Sequence, residues 1–127
     1  MSNSAIVLIG RILLSIIFIL SGFGKLTAIA ATSQYFASYN LPAPTVVAVL
    51  AGLVELIGGL AVLIGLQTRI AAYLLAAFSV ASALIAHMEW ADGMQLIHFQ
   101  KNLAMAGGFL VLAAFGPGAL SVDAKRA

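Results

Sequence analysis

Four long runs of apolar residues set the pattern of this chain. They cover about residues 5–24, 45–66, 69–88 and 97–116, and short polar or turn-forming stretches separate them. Each run is close to the roughly 20 residues that an α-helix needs to cross the hydrocarbon core of a bilayer. Transmembrane strands do not fit, because the runs are too long and lack alternation. The pattern predicts an all-α integral membrane protein, a four-helix transmembrane bundle that forms a single domain over residues 1–127.

The connections between the runs differ in length and character. Only Gln67 and Thr68 join the second and third runs, which predicts a tight antiparallel hairpin. Residues 25–44 form a longer connection with three aromatic residues and two prolines, as expected of a short element in the membrane interface. The Gly-Pro-Gly sequence at 116–118 stops the fourth helix, so this run spans the membrane only if it begins near Leu96.

The composition supports a membrane protein and removes several other classes. The chain is 63% hydrophobic and 8% charged, whereas about a quarter of the residues in a soluble domain are charged. It has no cysteine, which excludes dithiol, disulfide and thiolate–metal chemistry. Its net charge of +2 is too small to indicate nucleic-acid binding. We therefore expect the lipid bilayer to be the main partner.

Basic residues are divided unevenly between the two ends of the predicted bundle. The end that carries both termini also has most of them: Arg11, Arg69, Lys125 and Arg126. The opposite end combines two basic with two acidic residues: Lys25, Lys101, Glu89 and Asp92. The positive-inside rule then predicts a multi-pass protein of the bacterial inner (cytoplasmic) membrane with both termini in the cytoplasm. Because no basic residue precedes the first run, we expect it to be retained rather than cleaved as a signal peptide.

Glu55 stands in the middle of the second apolar run. Gly52 and Gly59 share its helical face, and glycine permits close helix approach in lipid. This face is therefore expected to point into the bundle. An ionised carboxylate at this depth is costly, and such residues pair with another group or take part in function.

Arg11 is the predicted partner of Glu55. It begins a stripe on the first helix that continues through Ser15 to Lys25. Arg11 lies about four residues, or about 6 Å, from the centre of its span, within reach of an arginine side chain. An Arg11–Glu55 pair would either fix the helix register or line a binding site. Alternatively, Glu55 is protonated and hydrogen-bonded.

Further polar residues are expected near the end of the bundle opposite the termini. Lys25 ends the stripe on the first helix, and His87 and Asn102 reach about the same level. Simpler roles stand beside these: Lys25 as an interface anchor that reaches water, and His87 as the cap of a helix end. The spacing of His87 and His98 matches no known ligand pattern, so no metal is expected.

Four segments of the chain carry motifs that occur together in one family. They are RILLSIIFILSGFGKL (11–26), QYFASYNLPAP (34–44), ELIGGLAVLIGLQTRIAA (55–72) and KNLAMAGGFLVLAAFGPGALSVD (101–123). In this order they resemble the DoxX family of small bacterial membrane proteins. The resemblance implies a four-helix transmembrane bundle. It also implies that five polar positions are typical of the family: Arg11, Lys25, Glu55, Lys101 and Asn102.

The resemblance further implies a link to quinones. Members of the family are associated with quinone-coupled sulfur oxidation, with oxidative-stress complexes and with the handling of catechol- or quinone-like compounds. The sequence has no haem, flavin or iron–sulfur signature and no redox cysteine. We therefore expect no intrinsic cofactor, and a bound quinone or a partner redox protein would have to carry electrons.

Two hypotheses on function follow. In the first, the chain is a quinone- or small-aromatic-binding subunit of a redox or detoxification system that acts in oxidative stress, with its own oxidoreductase activity undecided. The candidate binding residues are Arg11, Lys25, Glu55, His87, Lys101 and Asn102. In the second, the chain is a non-enzymatic membrane scaffold or assembly partner whose polar cluster is purely structural. A homo-oligomer is compatible with both.

Overall fold

The structure, a computed structural model, describes residues 1–127 and contains helices but no strand. The helices are α1 (Asn3–Thr27), α2 (Ile29–Ala37), α3 (Pro44–Ile64), α4 (Thr68–Ala86), α5 (Gly93–Phe115) and α6 (Val122–Arg126). Four of them, α1, α3, α4 and α5, are long and apolar enough to cross a membrane. The predicted all-α four-helix transmembrane bundle is confirmed.

Two of the spanning helices are longer than the apolar pattern predicts. α1 begins at Asn3, where the Ser2 hydroxyl accepts a hydrogen bond of 3.2 Å from the backbone N–H of Ala5. α5 begins at Gly93, four residues before the expected start, because the Asp92 carboxylate accepts a bond of 3.0 Å from the Met94 N–H. Side chains that accept bonds from the first free N–H groups stabilise a helix start even where the sequence is polar.

Glycine residues bring α1 and α3 into close contact. A methyl group at Gly22 would lie 2.5 Å from the backbone nitrogen of Leu56, and one at Gly59 would lie 3.1 Å from that of Ile19. A side chain at either position would force the two helices apart. The glycine face of α3, which was expected to point inward, is buried, and α1 is the helix that packs on it.

α4 and α5 form the second close pair, and an apolar core joins the two pairs. The ring centroids of Phe18 in α1 and Phe109 in α5 lie 5.3 Å apart in an edge-to-face arrangement. Leu75 of α4 is fully buried in the same cluster. Buried alanines of α4, including Ala72 and Ala76, allow α5 to approach closely. This core occupies the half of the bundle nearer the termini.

Arg11 closes the end of the bundle that carries the termini, and only 1% of the residue is exposed. Its Nε donates to the carbonyl of Val62 at 3.0 Å, and its Nη2 donates to that of Leu63 at 2.9 Å. Its Nη1 donates to the carbonyls of Pro117 at 2.7 Å and Leu120 at 2.9 Å. The last carbonyls of a helix lack partners within it and form the negative end of its dipole. Arg11 therefore joins α1, the end of α3 and the Gly-Pro-Gly loop.

Asp123 fixes the same end from the other side. Its carboxylate accepts bonds from the backbone N–H groups of Gln67 at 2.7 Å and Thr68 at 2.8 Å. Its own N–H donates to the carbonyl of Gly65 at 2.8 Å. Burial alone would raise the pKa of Asp123, but the bonds from Thr68 and Gln67 outweigh burial, so that this pKa is lowered. The segment after the Gly-Pro-Gly loop is thus tied to the turn between α3 and α4.

α2 is a separate short helix that packs mainly on α3. The backbone leaves helical geometry before it, at Ala28 (φ −140°, ψ 53°). After it, Asn40 and Ala43 take left-handed conformations with φ of 60° and 46°. The hydroxyls of Ser33 in α2 and Thr45 in α3 lie 2.8 Å apart. α2 is therefore tethered to the start of α3 between two irregular connections.

Candidate functional site

Lys25 and Glu55 form the ion pair in the interior of the bundle. Lys25 Nζ lies 2.6 Å from Glu55 Oε1, and the Lys25 and Glu55 side chains are 24% and 7% exposed. Lys25 lies in the last turn of α1, and its long side chain reaches Glu55 near the middle of α3. Glu55 Oε1 is fully buried against the Lys25 ammonium. The carboxylate is thus paired in charge through Oε1, and its second oxygen has its own capacity to accept a hydrogen bond.

The ion pair lines a cavity of about 150 Å³ in the half of the bundle farther from the termini. We call this cavity the polar chamber. Four helices contribute to its wall: Ile17, Phe18, Ser21, Lys25, Glu55, Phe78, Ser79, Ser82, His87, Lys101, Asn102 and Met105. Eight of these twelve side chains are polar or charged, since four are hydrophobic. A polar cavity inside a transmembrane bundle is costly and marks a functional candidate.

α5 contributes Lys101 and Asn102 to the polar chamber. Asn102 is 5% exposed, and its Nδ2 donates to the carbonyl of Ser79 in α4 at 3.2 Å. Ser79 in turn donates to the carbonyl of Leu75, within its own helix, at 2.8 Å. Lys101 forms no ion pair, because Lys25 is the cation that Glu55 contacts. The chamber therefore contains two ammonium groups and one carboxylate.

His87 lines the polar chamber and also follows the last residue of α4. Its position is therefore compatible with both a binding residue and the cap of a helix end. Its Nδ1 lies 2.9 Å from Gln95 Oε1. The ring centroids of His87 and His98 lie 5.1 Å apart, and no third metal-ligating residue joins them. The indole N–H of Trp90 donates to the His87 carbonyl at 3.0 Å. The single tryptophan of the chain is thus bonded to a residue of the chamber wall.

Two further cavities adjoin the polar chamber on the side of α2. The first, which we call the lateral cleft, has a volume of about 430 Å³ and shares Lys25, Glu55 and His87 with the chamber. The second, which we call the apolar slot, has a volume of about 120 Å³, and ten of its eleven lining residues are hydrophobic. Tyr35 and Phe36 of α2 line both the cleft and the slot. The polar interior therefore continues outward into an apolar passage.

The predicted ion pair between Arg11 and Glu55 is wrong. Lys25 is the partner of Glu55, and Arg11 bonds to four backbone carbonyls and lines no part of the polar chamber. Gly22 packs level with Leu56, and Arg11 lies eleven residues before Gly22, about 16 Å farther along α1. The sequence-based depth failed because it took the middles of α1 and α3 to lie level, whereas the contact of Gly22 with Leu56 places the second half of α1 level with Glu55. The prediction of this ion pair also failed because it considered only a carboxylate as the partner of Arg11.

The structure brings together five of the six candidate binding residues in one cavity: Lys25, Glu55, His87, Lys101 and Asn102. Sequence reasoning missed the aromatic residues Phe78 and Tyr35, because apolar residues of a span carry no mark that separates a cavity wall from a lipid-facing surface. It also missed Gln95, the partner of His87. Gln95 could have been found from its position eight residues after His87, since the short connection between α4 and α5 places the two residues at the same level.

The fold and the chamber define a class: a small four-helix membrane protein with a polar cavity in one half of the bundle. The chain matches the family described as DoxX over residues 6–88 and belongs to this family. It is 44% identical over 117 residues to "Inner membrane protein YqjF" of Escherichia coli (strain K12), covering 92% of this chain and 88% of that protein. It is 38% identical over 129 residues to "Inner membrane protein YphA" of the same organism, covering 98% and 92%. No solved structure matches the chain.

The relatives also agree on location. Both are named as inner membrane proteins, and this chain has four helices that can span a membrane. The chain is therefore a small inner-membrane protein of the DoxX family.

Proposed function

We propose that the polar chamber binds a lipophilic quinone or a small aromatic compound, and that the protein is the membrane-embedded binding subunit of a redox or detoxification system. One observation carries the proposal. The Lys101 ammonium has no ion-pair partner, and it lines the same cavity as Glu55, whose Oε1 alone contacts Lys25. A ligand that offers both an acceptor and a donor would satisfy them, because buried polar groups are normally hydrogen-bonded.

The chemistry of a quinone fits this pair of groups. A quinone carbonyl accepts a hydrogen bond from an ammonium, and the hydroxyl of the reduced form donates to a carboxylate. Phe18 and Phe78 supply aromatic walls for a ring. His87 is bonded at Nδ1 to Gln95, which leaves Nε2 to exchange a proton with the ligand. In this proposal the ligand carries the electrons, and a partner redox protein supplies or removes them.

A second candidate function is that of a membrane scaffold or assembly partner. The observation in its favour is that Arg11 acts on backbone carbonyls alone and that the Lys25–Glu55 pair joins α1 to α3. Mass spectrometry of the purified protein separates the two candidates. A lipid-soluble quinone or aromatic compound in the extract supports the binding subunit. An empty protein that also takes up no added quinone supports the scaffold.

Trp90 provides a direct titration of the proposed site. We expect a short-chain ubiquinone, added to the protein in detergent, to quench Trp90 fluorescence with a saturable curve, because Trp90 is bonded to His87 in the chamber wall. Replacing Lys101 by Met removes a charged donor. Such a bond contributes about 1.5–3 kcal/mol, so we expect Kd to rise about tenfold or more.

The matched control for this titration is Lys125→Met. Lys125 is exposed in α6 at the other end of the bundle, so this variant makes the same change of charge without touching the chamber and should leave Kd unaltered. Linear quenching that never saturates, or an equal effect of both variants, would show that the quinone only dissolves in the detergent micelle.

We also propose that both termini face the cytoplasm, on the basis of the basic residues at the end that carries them. Fusions at the C-terminus test this orientation. We expect a green fluorescent protein fusion to fluoresce and an alkaline phosphatase fusion to be inactive. The opposite pair of results would place the polar chamber nearer the cytoplasm.

A further inference from the structure

We propose that the ligand enters the polar chamber sideways from the hydrocarbon of the bilayer, through the apolar slot between α2 and α4. This inference rests on the proposed function in taking the polar chamber as the ligand site. It gives the slot a role of its own. It also restricts the ligand to molecules that dissolve in the membrane and combine a polar head with an apolar body.

Shared lining residues connect the slot to the chamber. Phe78 and Ser82 line the polar chamber, the lateral cleft and the apolar slot. The passage changes in character along its length, from a chamber with a charged triad to a slot with one polar residue among eleven. A molecule with an oxygen-bearing head and an apolar body matches this gradient when its head lies in the chamber and its body lies in the slot.

The outer wall of the slot faces lipid. Ala81 and Ile85 line the slot from α4, and both belong to its exposed face, with Ile85 50% exposed. Exposed apolar residues on a helix that crosses the membrane contact acyl chains. The slot therefore opens to the bilayer, and an apolar molecule passing through it does not have to enter water.

Close contacts shut two sides of the bundle and the end that carries the termini. Gly22 packs α1 directly on the backbone of α3, and the bond from Asn102 to Ser79 joins α5 to α4. Arg11 and the segment that it holds close the end with the termini. The gap between α2 and α4 has no such contact, and the apolar slot lies in it.

The attachment of α2 allows this gap to widen. α2 is bonded to α3 through Ser33 and Thr45, and no hydrogen bond joins it to α4. Irregular backbone at Ala28 and Ala43 flanks it. A change at these two connections would move Tyr35 and Phe36 away from α4 without breaking the helices of the bundle.

Cysteine labelling tests this route, because the chain has no cysteine of its own. Ser82→Cys would place a thiol where the three cavities meet. The protein would be reconstituted in vesicles of phosphatidylethanolamine and phosphatidylglycerol and treated with membrane-soluble N-phenylmaleimide. Adding Ala81→Trp fills the mouth of the slot, and we expect it to slow labelling about tenfold or more. Adding Ala77→Trp, on the same exposed face of α4 but outside the lining of the chamber, the cleft and the slot, should leave the rate within about twofold.

A charged sulfonate thiol reagent distinguishes lipid from water access. We expect it to label Ser82→Cys far more slowly than Ala91→Cys, an exposed position in the loop before α5. Equal labelling of the two sites, or an unchanged maleimide rate in Ala81→Trp, would overturn the lateral route in favour of entry from water. Ala81→Leu repeats the test with a smaller side chain if the tryptophan variant melts early. No quinone is used in this experiment. The lateral route can therefore be disproved while the proposed ligand class stands, and the ligand class can be disproved while the lateral route stands.

Discussion

Replacing Arg11 by Met should lower the free energy of unfolding by about 3–5 kcal/mol, because the carbonyls that Arg11 serves lose a charged donor and stay buried. The guanidinium bonds to carbonyls on two segments that are more than 50 residues apart in sequence, at Val62–Leu63 and at Pro117 and Leu120. Methionine fills similar space but donates nothing. Unfolding in detergent, followed by helical circular dichroism against temperature or SDS, measures the loss.

Arg69 provides the matched control at the same end of the bundle. It is exposed, and its one bond, to the carbonyl of Ala114, is long at 3.4 Å. Arg69→Met should therefore cost no more than about 0.5 kcal/mol. Arg11→Lys keeps the charge but replaces a planar group with a single ammonium, which cannot reach all four carbonyls, so it should fall between wild type and Arg11→Met. If Arg11→Met were as stable as Arg69→Met, the proposed closure by Arg11 would be wrong.

The Lys25–Glu55 pair should give a strongly coupled double-mutant cycle. Lys25→Met leaves a carboxylate in a side chain that is only 7% exposed, and breaking a buried pair in this way costs about 3–5 kcal/mol. Glu55→Gln should cost less, because Lys25 lies in the last turn of α1 and its ammonium can turn toward the membrane surface. The double variant should recover at least about 1 kcal/mol relative to the sum of the single losses.

A second cycle serves as the control for the first. Arg11 and Glu55 share no partner, so Arg11→Met and Glu55→Gln should add to within about 0.5 kcal/mol. Coupling in this cycle and additivity in the Lys25–Glu55 cycle would reverse the assignment of the ion pair. Both cycles use the same unfolding measurement, which makes the comparison independent of any ligand.

The sequence predicted the architecture because the membrane imposes a simple rule on it. Spans must be apolar and long, and the glycines beside Glu55 had to face another helix, since lipid offers no partner for a carboxylate. The common level of Lys25, His87 and Asn102 followed from residue counting along these spans. Each of these features depends on a single helix, and the properties of a single helix can be predicted from its sequence.

The partners of the polar residues could not be predicted in the same way. Arg11 binds backbone carbonyls, which every residue possesses and which therefore leave no mark in a sequence. The choice of Lys25 over Arg11 for Glu55 depends on how far α1 slides along α3, and this is set by the contact of Gly22 with the backbone at Leu56. The placement of α2 beside α4 depends on two irregular connections, which the aromatic residues of the segment did not reveal.

The contacts of Arg11 also impose an order on the biogenesis of the protein. The residue enters the membrane with α1, yet its partner at Pro117 is 106 residues away and leaves the ribosome about 5–20 s later at 5–20 residues per second. During this interval the guanidinium lacks its partners in the loop, and an arginine near the end of a span can extend its side chain to the headgroups instead. We therefore expect nascent α1 to sit shifted toward the membrane surface, with Arg11 in the headgroups, and to slide to its final depth only when the Gly-Pro-Gly loop arrives. The step that completes the bundle is then a movement of its first helix, triggered by the synthesis of a segment near residue 120.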